Sequence, residues 1–564
     1  MGALASGYLV FLSGEVAVSI LVALLCGLVW RLRPAAMLRA HGLLKRLTGR
    51  AWLCVLISAA LPIAGRLALS SIAPQRYPVT HDEYVHLLVA DTIAHGRLAN
   101  PSHLLGEHFE TIYVLQHPSY AAIYPIGQGA VFALGQLITG KPLAGHILSL
   151  GLMAGAVCWM LYGWVSPEWA LAGGILTGLV YGVAGEWATT YLGGPAAAFG
   201  GALVFGAFPR FAKTGRARDA AIMVAGWSAV WLIRPAESLP IAAAIGLELW
   251  RRFGSARGKK LLGLAPAGIV VLATAGITLL HNWRVTGSPL LLPYQLEQRE
   301  QGVPQGFLGM RIVPPPHFRF SDIREMYDMQ LGMRESLASW PDFLRETRNR
   351  LSEIWRFFVN YHFSLPIAIA LWISWCKPPY RRLAILCAAG FALSSLYPFF
   401  FTRYFAPYLG VFVLFVVVGL RALSGWAPRG RALGALLAIT LASFAACKSL
   451  RDVERWLEQG RRPYQQPTPR HAVERQLDAI PGRHLVLVHY GPHHSFYQEW
   501  IYNGADIDGS KIVWARDLGP EKNRDLLRYF ASRSIWYVNA DDSAPVRAAP
   551  AQLAQPPPDP PSIN

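Results

Sequence analysis

The residues best suited to chemistry are concentrated in segment 73–119, close to its start at His81-Asp82-Glu83. The segment holds five carboxylic acids and six of the sixteen histidines of the chain. Carboxylates and imidazoles transfer protons and also bind metal ions. No pair of these histidines has the His-Glu-x-x-His spacing of a zinc site. Binding of a divalent metal is therefore an open alternative that no motif supports, and no cofactor is predicted. The acids are Asp82, Glu83, Asp91, Glu107 and Glu110, and the histidines are His81, His86, His95, His103, His108 and His117.

Membrane helices must position this segment, because the rest of the chain is dominated by apolar runs. Of its 564 residues 53% are hydrophobic and only 15% are charged, whereas soluble domains carry about a quarter of charged residues. A spanning helix needs about 20 mostly apolar residues. By that measure we predict a polytopic α-helical membrane protein with about 12 transmembrane helices. The runs are 8–30, 51–72, 143–164, 169–186, 196–207, 219–235, 237–250, 261–282, 354–375, 382–401, 404–421 and 431–447.

Clusters of Lys and Arg set the orientation of these helices, since cytoplasmic loops are enriched in both residues. The linker 31–50 is basic without any acid, so we place it inside and the N-terminus outside. The other basic clusters also fall inside if the run 121–139 lies along the outer face instead of spanning. The net charge of +18 comes from such loops and does not predict a nucleic-acid partner. The external segments are then 73–119, 187–195, 234–237, 283–353, 402–403 and everything after 447.

One helix is predicted inside the acidic and histidine-rich segment itself. The run 82–98 places apolar residues at 85, 88, 89 and 93, which form a single stripe at helical spacing. We expect this amphipathic helix to lie along the membrane interface.

The chain after 447 differs in composition from the predicted membrane domain 1–447. That domain has two long external loops, the candidate catalytic loop 73–140 and the loop 283–353. Segment 448–542 is mixed in charge and predicts a small extracytoplasmic α/β domain. Its β-α-β pattern consists of strands at 484–491, 511–519 and 534–540 and a helix near 520–532. The Pro-rich tail 543–564 predicts disorder.

The charged candidates also have purely structural explanations. Thr80-His81-Asp82-Glu83 fits a helix N-cap with a capping box, which accounts for Glu83 better than for Asp82.

The same holds for the polar candidates at the ends of the apolar runs. Arg403 could anchor its helices at the lipid head groups, and Arg234 could pair with Glu237. Asn282 could simply end a helix, and Tyr191 could be an interfacial aromatic.

An Asp-Glu pair that opens the first large external loop resembles the membrane glycosyltransferases of the GT-C class. Within that class the chain is similar to protein O-mannosyltransferases, aminoarabinose transferases and the broad bacterial glycosyltransferase family 39-like group. The similar segments cover most of the chain, although each is short. They are HPSYAAIYPIGQGAVFALGQLITG (117–140), HNWRVTGSPLLLPY (281–294), FFTRYFAPYLG (400–410) and IYNGADIDGSKIVWARDLGPEKNRDLLRYF (501–530).

This resemblance implies a reaction and a place. A hexosyl or pentosyl group would pass from a polyprenyl-phosphate-linked donor to an extracytoplasmic acceptor, which is a lipid, glycan or protein hydroxyl. The protein would be a multi-pass protein of a bacterial inner (cell) membrane, with its active site on the periplasmic face.

The resemblance also implies roles for named residues. Asp82 would be the general base of an inverting transfer, with Glu83 as a second catalytic carboxylate. Arg403 and Arg234 would bind the donor phosphate, and Tyr404 would add a hydroxyl donor. The residues expected to position the substrate are His117, Tyr191 and Asn282.

The chain departs from the family pattern in two places, and two other functions compete. Gln116-His117-Pro118 stands where related transferases often have Lys-Pro-Pro, and an Asp-x-Asp motif is missing at the expected place. The alternatives are a transporter or flippase of lipid-linked saccharides and a non-catalytic scaffold. Transporters place ionisable groups near the midplane, often in paired halves. Here the ionisable groups collect at one face, which favours the enzyme.

Overall fold

Helices make up most of the computed structural model. It describes residues 2–72, 77–253, 264–302, 304, 306–312, 314, 317–459, 468–491 and 494–541. The Pro-rich tail 543–564, for which the sequence predicts disorder, lies outside the described residues.

The helices follow the apolar runs of the sequence and the polar segments between them. Their bounds are α1 Gly2–Leu32, α2 Pro34–Thr48, α3 Ala51–Ile72, α4 His81–Ala94, α5 Ile126–Thr139, α6 Pro142–Leu161, α7 Pro167–Thr177, α8 Gly194–Thr214, α9 Ala217–Ile233, α10 Pro235–Phe253, α11 Ala265–Thr286, α12 Pro293–Glu300, α13 Ser321–Glu335, α14 Trp340–Ile354, α15 Ser364–Cys376, α16 Pro378–Ser395, α17 Leu409–Ser424, α18 Leu433–Gln459, α19 Pro469–Asp478 and α20 Pro520–Tyr529. Short π-helical turns follow α7 and α14, and a 3-10 helix, Thr402–Tyr408, leads into α17.

Each predicted span overlaps helical residues, but the span 354–375 is interrupted at 360–363. Fewer helices meet the criteria for crossing a membrane. Six of the described helices are long and apolar enough, and a seventh span is obtained if Trp340–Val359 and Ser364–Cys376, bent by 102°, form one broken span. The chain is therefore a polytopic membrane protein. The predicted number of about 12 spans stays a prediction, because helices such as α9, with 17 residues, are short.

The difficult regions of the topology have simple structural answers. The run 219–250 is two helices, α9 and α10, separated at Arg234, whose backbone is not helical. The run 121–139 contains α5, which has 14 residues and is too short to cross a bilayer core of about 30 Å. Both results agree with the arrangement that the basic clusters favoured.

The bundle is centred on α6 and on the segment Thr402–Ser424, which are mostly buried. A close approach of α8 fixes the beginning of that segment. A Cβ added at Gly201 would lie 1.8 Å from the carbonyl oxygen of Pro407, so only glycine lets α8 pack against the 3-10 helix.

A separate polar layer is formed by the segment after α3 and by the end of the chain. Short strands β1 Asn100–Pro101, β2 Val114–Leu115 and β3 Ser119–Ala122 form an antiparallel sheet of order β1-β3-β2. Strands β4 His484–His489, β5 Ile512–Arg516 and β6 Ser534–Asn539 form a parallel sheet of order β5-β4-β6. The strands and the helix α20 lie where the sequence predicts them; the domain division itself stays a prediction.

The apolar stripe of α4 faces protein and not lipid. Val85, Leu88 and Val89 are buried in one hydrophobic cluster with Leu487 of β4 and Val513 of β5. The expectation that this helix uses its stripe on the membrane interface is therefore wrong. Periodicity showed that the stripe is buried, but it did not show which partner buries it.

Polar contacts also attach the C-terminal strands to the rest of the layer. The amide of Ala505 donates to Asp91 at 2.7 Å, and the hydroxyl of Tyr120 donates to the carbonyl of Asn503 at 3.0 Å. Arg516 is 2% exposed and donates to both carboxylate oxygens of Asp322, at 3.0 and 2.6 Å.

The buried Arg516–Asp322 pair gives a test of this attachment. Asp322→Ala leaves the buried guanidinium of Arg516 with the carbonyl of Glu110, at 2.7 Å, and the more distant carboxylate of Glu499, at 3.4 Å. We expect a loss of about 3 kcal/mol in the free energy of unfolding, because removing one partner of a buried pair leaves the other charge poorly compensated. Thermal unfolding and limited proteolysis of the tail measure it.

The matched control is Asp525→Ala, which removes an exposed pair with Arg528 and should cost less than about 1 kcal/mol. Equal unfolding midpoints for the two variants would contradict a structural role for the buried pair.

Candidate active site at the start of helix α4

Helix α4 begins with a capping carboxylate that fixes its first turn. Glu83 is 1% exposed and accepts hydrogen bonds from the amides of Val79 and Thr80, at 2.8 and 3.2 Å. Its other oxygen accepts from the amide of Tyr191 at 3.0 Å. The capping role predicted for Glu83 is confirmed, and its carboxylate also ties α4 to the segment before α8. Both oxygens of Glu83 therefore have backbone donors, and its predicted role as a second catalytic carboxylate stays a prediction.

Asp82 points to a different set of partners. One oxygen accepts from Nη2 of Arg403 at 3.0 Å, and the other accepts a short hydrogen bond from the hydroxyl of Tyr124. The side chains of Asp82 and Arg403 are 24% and 11% exposed. A partly buried ion pair therefore joins α4 to the 3-10 helix before α17.

A second guanidinium lies beside this pair. Arg234, at the break between α9 and α10, stacks over the ring of Tyr404 with 4.3 Å between guanidinium carbon and ring centroid. Arg403 lies 5.6 Å from the same ring and 4.0 Å from that of Phe401. The negative charge of Glu237, the predicted ion-pair partner of Arg234, attracts the Arg234 guanidinium. The ring on which this guanidinium stacks is that of Tyr404. Two arginines thus converge near one carboxylate.

The electrostatics keep Asp82 ionised. Burial acts to raise its pKa, but the charge of Arg403 and the hydrogen bond from Tyr124 outweigh it and hold the pKa below the usual range. One turn further along α4, burial lowers the pKa of His86 to about 3, so its imidazole is neutral near pH 7. Its ring lies 5.0 Å from that of Tyr124.

Tyrosines form the wall that closes the site. The ring of Tyr124 lies 5.7 Å from that of Tyr113 and 5.9 Å from that of Tyr294. No role was predicted from the sequence for these tyrosines, and none for His86 beyond its place in the histidine-rich segment. A signal existed for two of them, since Tyr124 lies in the segment 117–140 and Tyr294 ends the segment 281–294, both of which carry the family resemblance.

The three predicted substrate-positioning residues are placed elsewhere. His117 is exposed and lies beside Gly106. Asn282 is buried and donates to the carbonyl of Pro289 at 3.1 Å, which is a helix-end contact. Tyr191 contributes its backbone amide to Glu83, and its ring packs 5.8 Å from that of Phe132. None of the three side chains belongs to the described groups that surround Asp82.

The described histidines, cysteines and carboxylates form no group of three that could hold a metal ion. The charges gathered at Asp82 are those of the two arginines. This arrangement can hold an anion next to a carboxylate that accepts a proton.

Comparison with known proteins gives similar structures but no sequence relative. No protein-family model and no curated protein matches the sequence. ArnT from Cupriavidus metallidurans bound to undecaprenyl phosphate is 13% identical, with 87% of this chain and 93% of that chain covered and a TM-score of 0.46. The archaeal oligosaccharyltransferase AglB from Archaeoglobus fulgidus, in complex with an inhibitory peptide and a dolichol-phosphate, is 12% identical, with 80% of this chain covered and a TM-score of 0.45.

The chain spans 63% of the length of that oligosaccharyltransferase.

Glu83 gives a first test of the site. Glu83→Ala leaves the amides of Val79, Thr80 and the buried Tyr191 without their acceptor, and we expect a loss of about 2–4 kcal/mol in the free energy of unfolding. Thermal unfolding measures it, with Glu107→Ala, at an exposed carboxylate, as the control. An unchanged unfolding midpoint together with lost activity would show that Glu83 acts in chemistry and not in positioning.

His86 gives a second test, through pH. Its folded-state pKa of about 3 is below the usual value of about 6.5, so the unfolded chain binds more protons below pH 6.5. Stability should therefore fall as pH decreases from 7 to 5, by up to about 1.4 kcal/mol per pH unit from this group. The charged groups facing His86 are Asp82, Arg234 and Arg403, and the depressed pKa of Asp82 adds a loss only at lower pH.

His86→Asn should flatten the dependence of the unfolding midpoint on pH between 7 and 5. His95→Asn, at the exposed end of the same helix, should leave it unchanged. A wild-type slope in the His86 variant would mean that the imidazole is already protonated in the folded protein.

Proposed function

We propose that the protein is a membrane glycosyltransferase of the GT-C type. It transfers a hexosyl or pentosyl group from a polyprenyl-phosphate-linked donor to a lipid, glycan or protein hydroxyl outside the cytoplasm. The observation that carries the proposal is the convergence of the Asp82 carboxylate with the guanidinium groups of Arg403 and Arg234. A transfer from a phosphate leaving group needs a proton acceptor and cations in one place.

The reaction is a single displacement. The acceptor hydroxyl oxygen attacks the anomeric carbon, its proton passes to Asp82, and the bond between that carbon and the phosphate oxygen breaks with its electron pair going to the phosphate. Arg403 and Arg234 stabilise the negative charge that develops there, since guanidinium forks match phosphate oxygens and stay charged. Attack opposite the leaving group inverts the anomeric configuration.

The Asp82–Arg403 ion pair links donor binding to base strength. A carboxylate held by a guanidinium is a weak base, because the cation stabilises the charged form. A donor phosphate competes for Arg403 and weakens its hold on Asp82. The pKa of Asp82 then rises when the donor is bound, which activates the base only in the loaded enzyme.

An apolar face of α5, the helix that binds α4 through the hydrogen bond from Gln136 to Asp91 at 2.8 Å, suits a lipid substrate. Helix α5 exposes Leu134, Leu137 and Ile138, which are 46%, 64% and 70% exposed. Such a face matches acyl or prenyl chains at the outer boundary of the bilayer. We place the site on the periplasmic face of a bacterial inner membrane.

Asp82→Asn tests the base. The amide preserves shape and can still accept from Tyr124, but it cannot take a proton. We expect kcat to fall by about 10²–10⁴-fold in proteoliposomes supplied with polyprenyl-phosphate sugars, with donor binding retained. Asp328→Asn, at an exposed carboxylate, is the control. Unchanged transfer by the Asp82 variant would remove it as the base.

Arg403→Ala tests the phosphate site. We expect the KM for the donor to rise by about 10–100-fold, since a charge-assisted hydrogen bond contributes roughly 1.5–3 kcal/mol. Arg319→Ala, which removes an exposed pair with Glu107, should leave the KM unchanged. Wild-type protein that binds the donor without any transfer would favour the transporter or flippase alternative.

A further inference from the structure

A carboxyl group that the proposed mechanism does not use is buried close to the site. Glu297 on α12 is 0% exposed. Neither of its side-chain oxygens has a hydrogen-bond partner among the residues that the structure describes. Burial raises its pKa well above the usual value, and the nearby Glu300 adds to the effect, so both favour the protonated form of the carboxyl. Burying a carboxyl without a partner costs stability.

The neighbours of Glu297 on its own helix show which way it faces. Tyr294, three residues before it, packs against Tyr124, the hydrogen-bond donor to Asp82. Gln301, four residues after it, donates to the carbonyl of Thr111 at 3.1 Å. Residues three and four apart share one helix face. Glu297 therefore faces the site wall between Tyr124 and Thr111.

Tyr113 connects this face to the catalytic carboxylate. It acts electrostatically with both Asp82 and Glu297, and its hydroxyl accepts from the amide of Gln330 at 2.7 Å. Its backbone has a φ of 64°, in the left-handed region that residues with a side chain adopt at a cost. Such strain persists where surrounding structure imposes it and clusters at functional sites.

Two buried side-chain amides beside this wall have hydrogen bonds at only one of their two polar atoms. Gln301 and Gln330 are 5% and 3% exposed. The NH₂ group of each donates a hydrogen bond, but the amide oxygen of each has no hydrogen-bond partner among the described residues. Together with the two oxygens of Glu297 they form a set of buried polar atoms next to a reacting centre. Buried polar groups are normally paired, and these would be paired by a ligand rich in hydroxyl groups.

We propose that Glu297, with the amide oxygens of Gln301 and Gln330, forms the subsite that binds the hydroxyl groups of the transferred sugar. This inference rests on the proposed glycosyl transfer and adds the residues that recognise the sugar. A neutral carboxyl both donates and accepts hydrogen bonds, as does a sugar hydroxyl, so the two match without an uncompensated charge. Glu297 acts by positioning, because the proton and the phosphate are handled by Asp82 and the arginines.

The test compares Glu297→Leu and Glu297→Gln with wild type in kinetics and in thermal unfolding. The donors are polyprenyl-phosphate hexoses and their single-deoxy analogues. The leucine variant should unfold at the same or a higher temperature, because it removes a buried polar group without partners. Its KM for the hexose donor should rise tenfold or more, with kcat less affected, and the glutamine variant should lie between. Glu325→Leu, at an exposed position of α13, should change neither quantity.

The deoxy donors identify what Glu297 binds. Wild type should discriminate against the analogue that lacks the contacted hydroxyl, and Glu297→Leu should use both donors equally. An unchanged donor KM in Glu297→Leu would overturn the inference, as would an activity loss that only follows a lower unfolding temperature. An amino-sugar donor is the further comparison. If Glu297→Leu changes the use of that donor alone, Glu297 binds a cationic amine and the proposed binding of hydroxyl groups is wrong.

The result also separates this inference from the function it rests on. Wild type that transfers no sugar from any of these donors would overturn both. Active wild type, inactive Asp82→Asn and normal Glu297→Leu would overturn only the sugar subsite.

Discussion

The ion pair between Asp82 and Arg403 is the constraint around which the outer layer is arranged. The two residues lie 321 positions apart, and two charges that are largely removed from water persist only when they are paired and hydrogen-bonded. Each partner is therefore held by its own support. Glu83 fixes the first turn of α4, and Gly201 lets α8 seat the 3-10 helix that carries Arg403. The carboxylate and the cation meet because both supports are rigid.

The layer around this pair is built from parts that are distant in sequence. The loop after α3 supplies Asp82 and the tyrosine wall, and the segment after α11 supplies Tyr294 and Glu297. The C-terminal strands cover the opposite face of α4. Since they share one hydrophobic cluster with that helix, the C-terminal strands are an integral part of this layer. A hydrophobic bundle thus supports a polar layer in which burial lowers the pKa of histidines such as His81, His86 and His471.

The sequence was informative where a single property decides the outcome. Apolar runs identified the helices, short apolar runs in a β-α-β pattern identified β4 to β6, and basic clusters predicted that Asp82, Arg234 and Arg403 lie on one face. It was uninformative where the outcome depends on tertiary partners. The run around Glu297, QLEQRE, has the composition of a solvated helix, and only burial distinguishes its carboxyl. His117 was chosen by its place in a family pattern, yet its side chain is exposed. The catalytic and binding roles of these residues stay predictions.

The docking of the C-terminal strands on α4 has a consequence for the making of the protein. The amide of Ala505 binds Asp91 across 414 positions of the chain. At typical synthesis rates of 5–20 residues per second, the first loop waits roughly 20–80 s for its cover. During that time the apolar stripe of Val85 and Leu88 lacks the C-terminal strands that later bury it. The membrane bundle can assemble as its helices emerge, whereas the layer that holds Asp82 is completed last, so the final strands govern when the protein becomes competent.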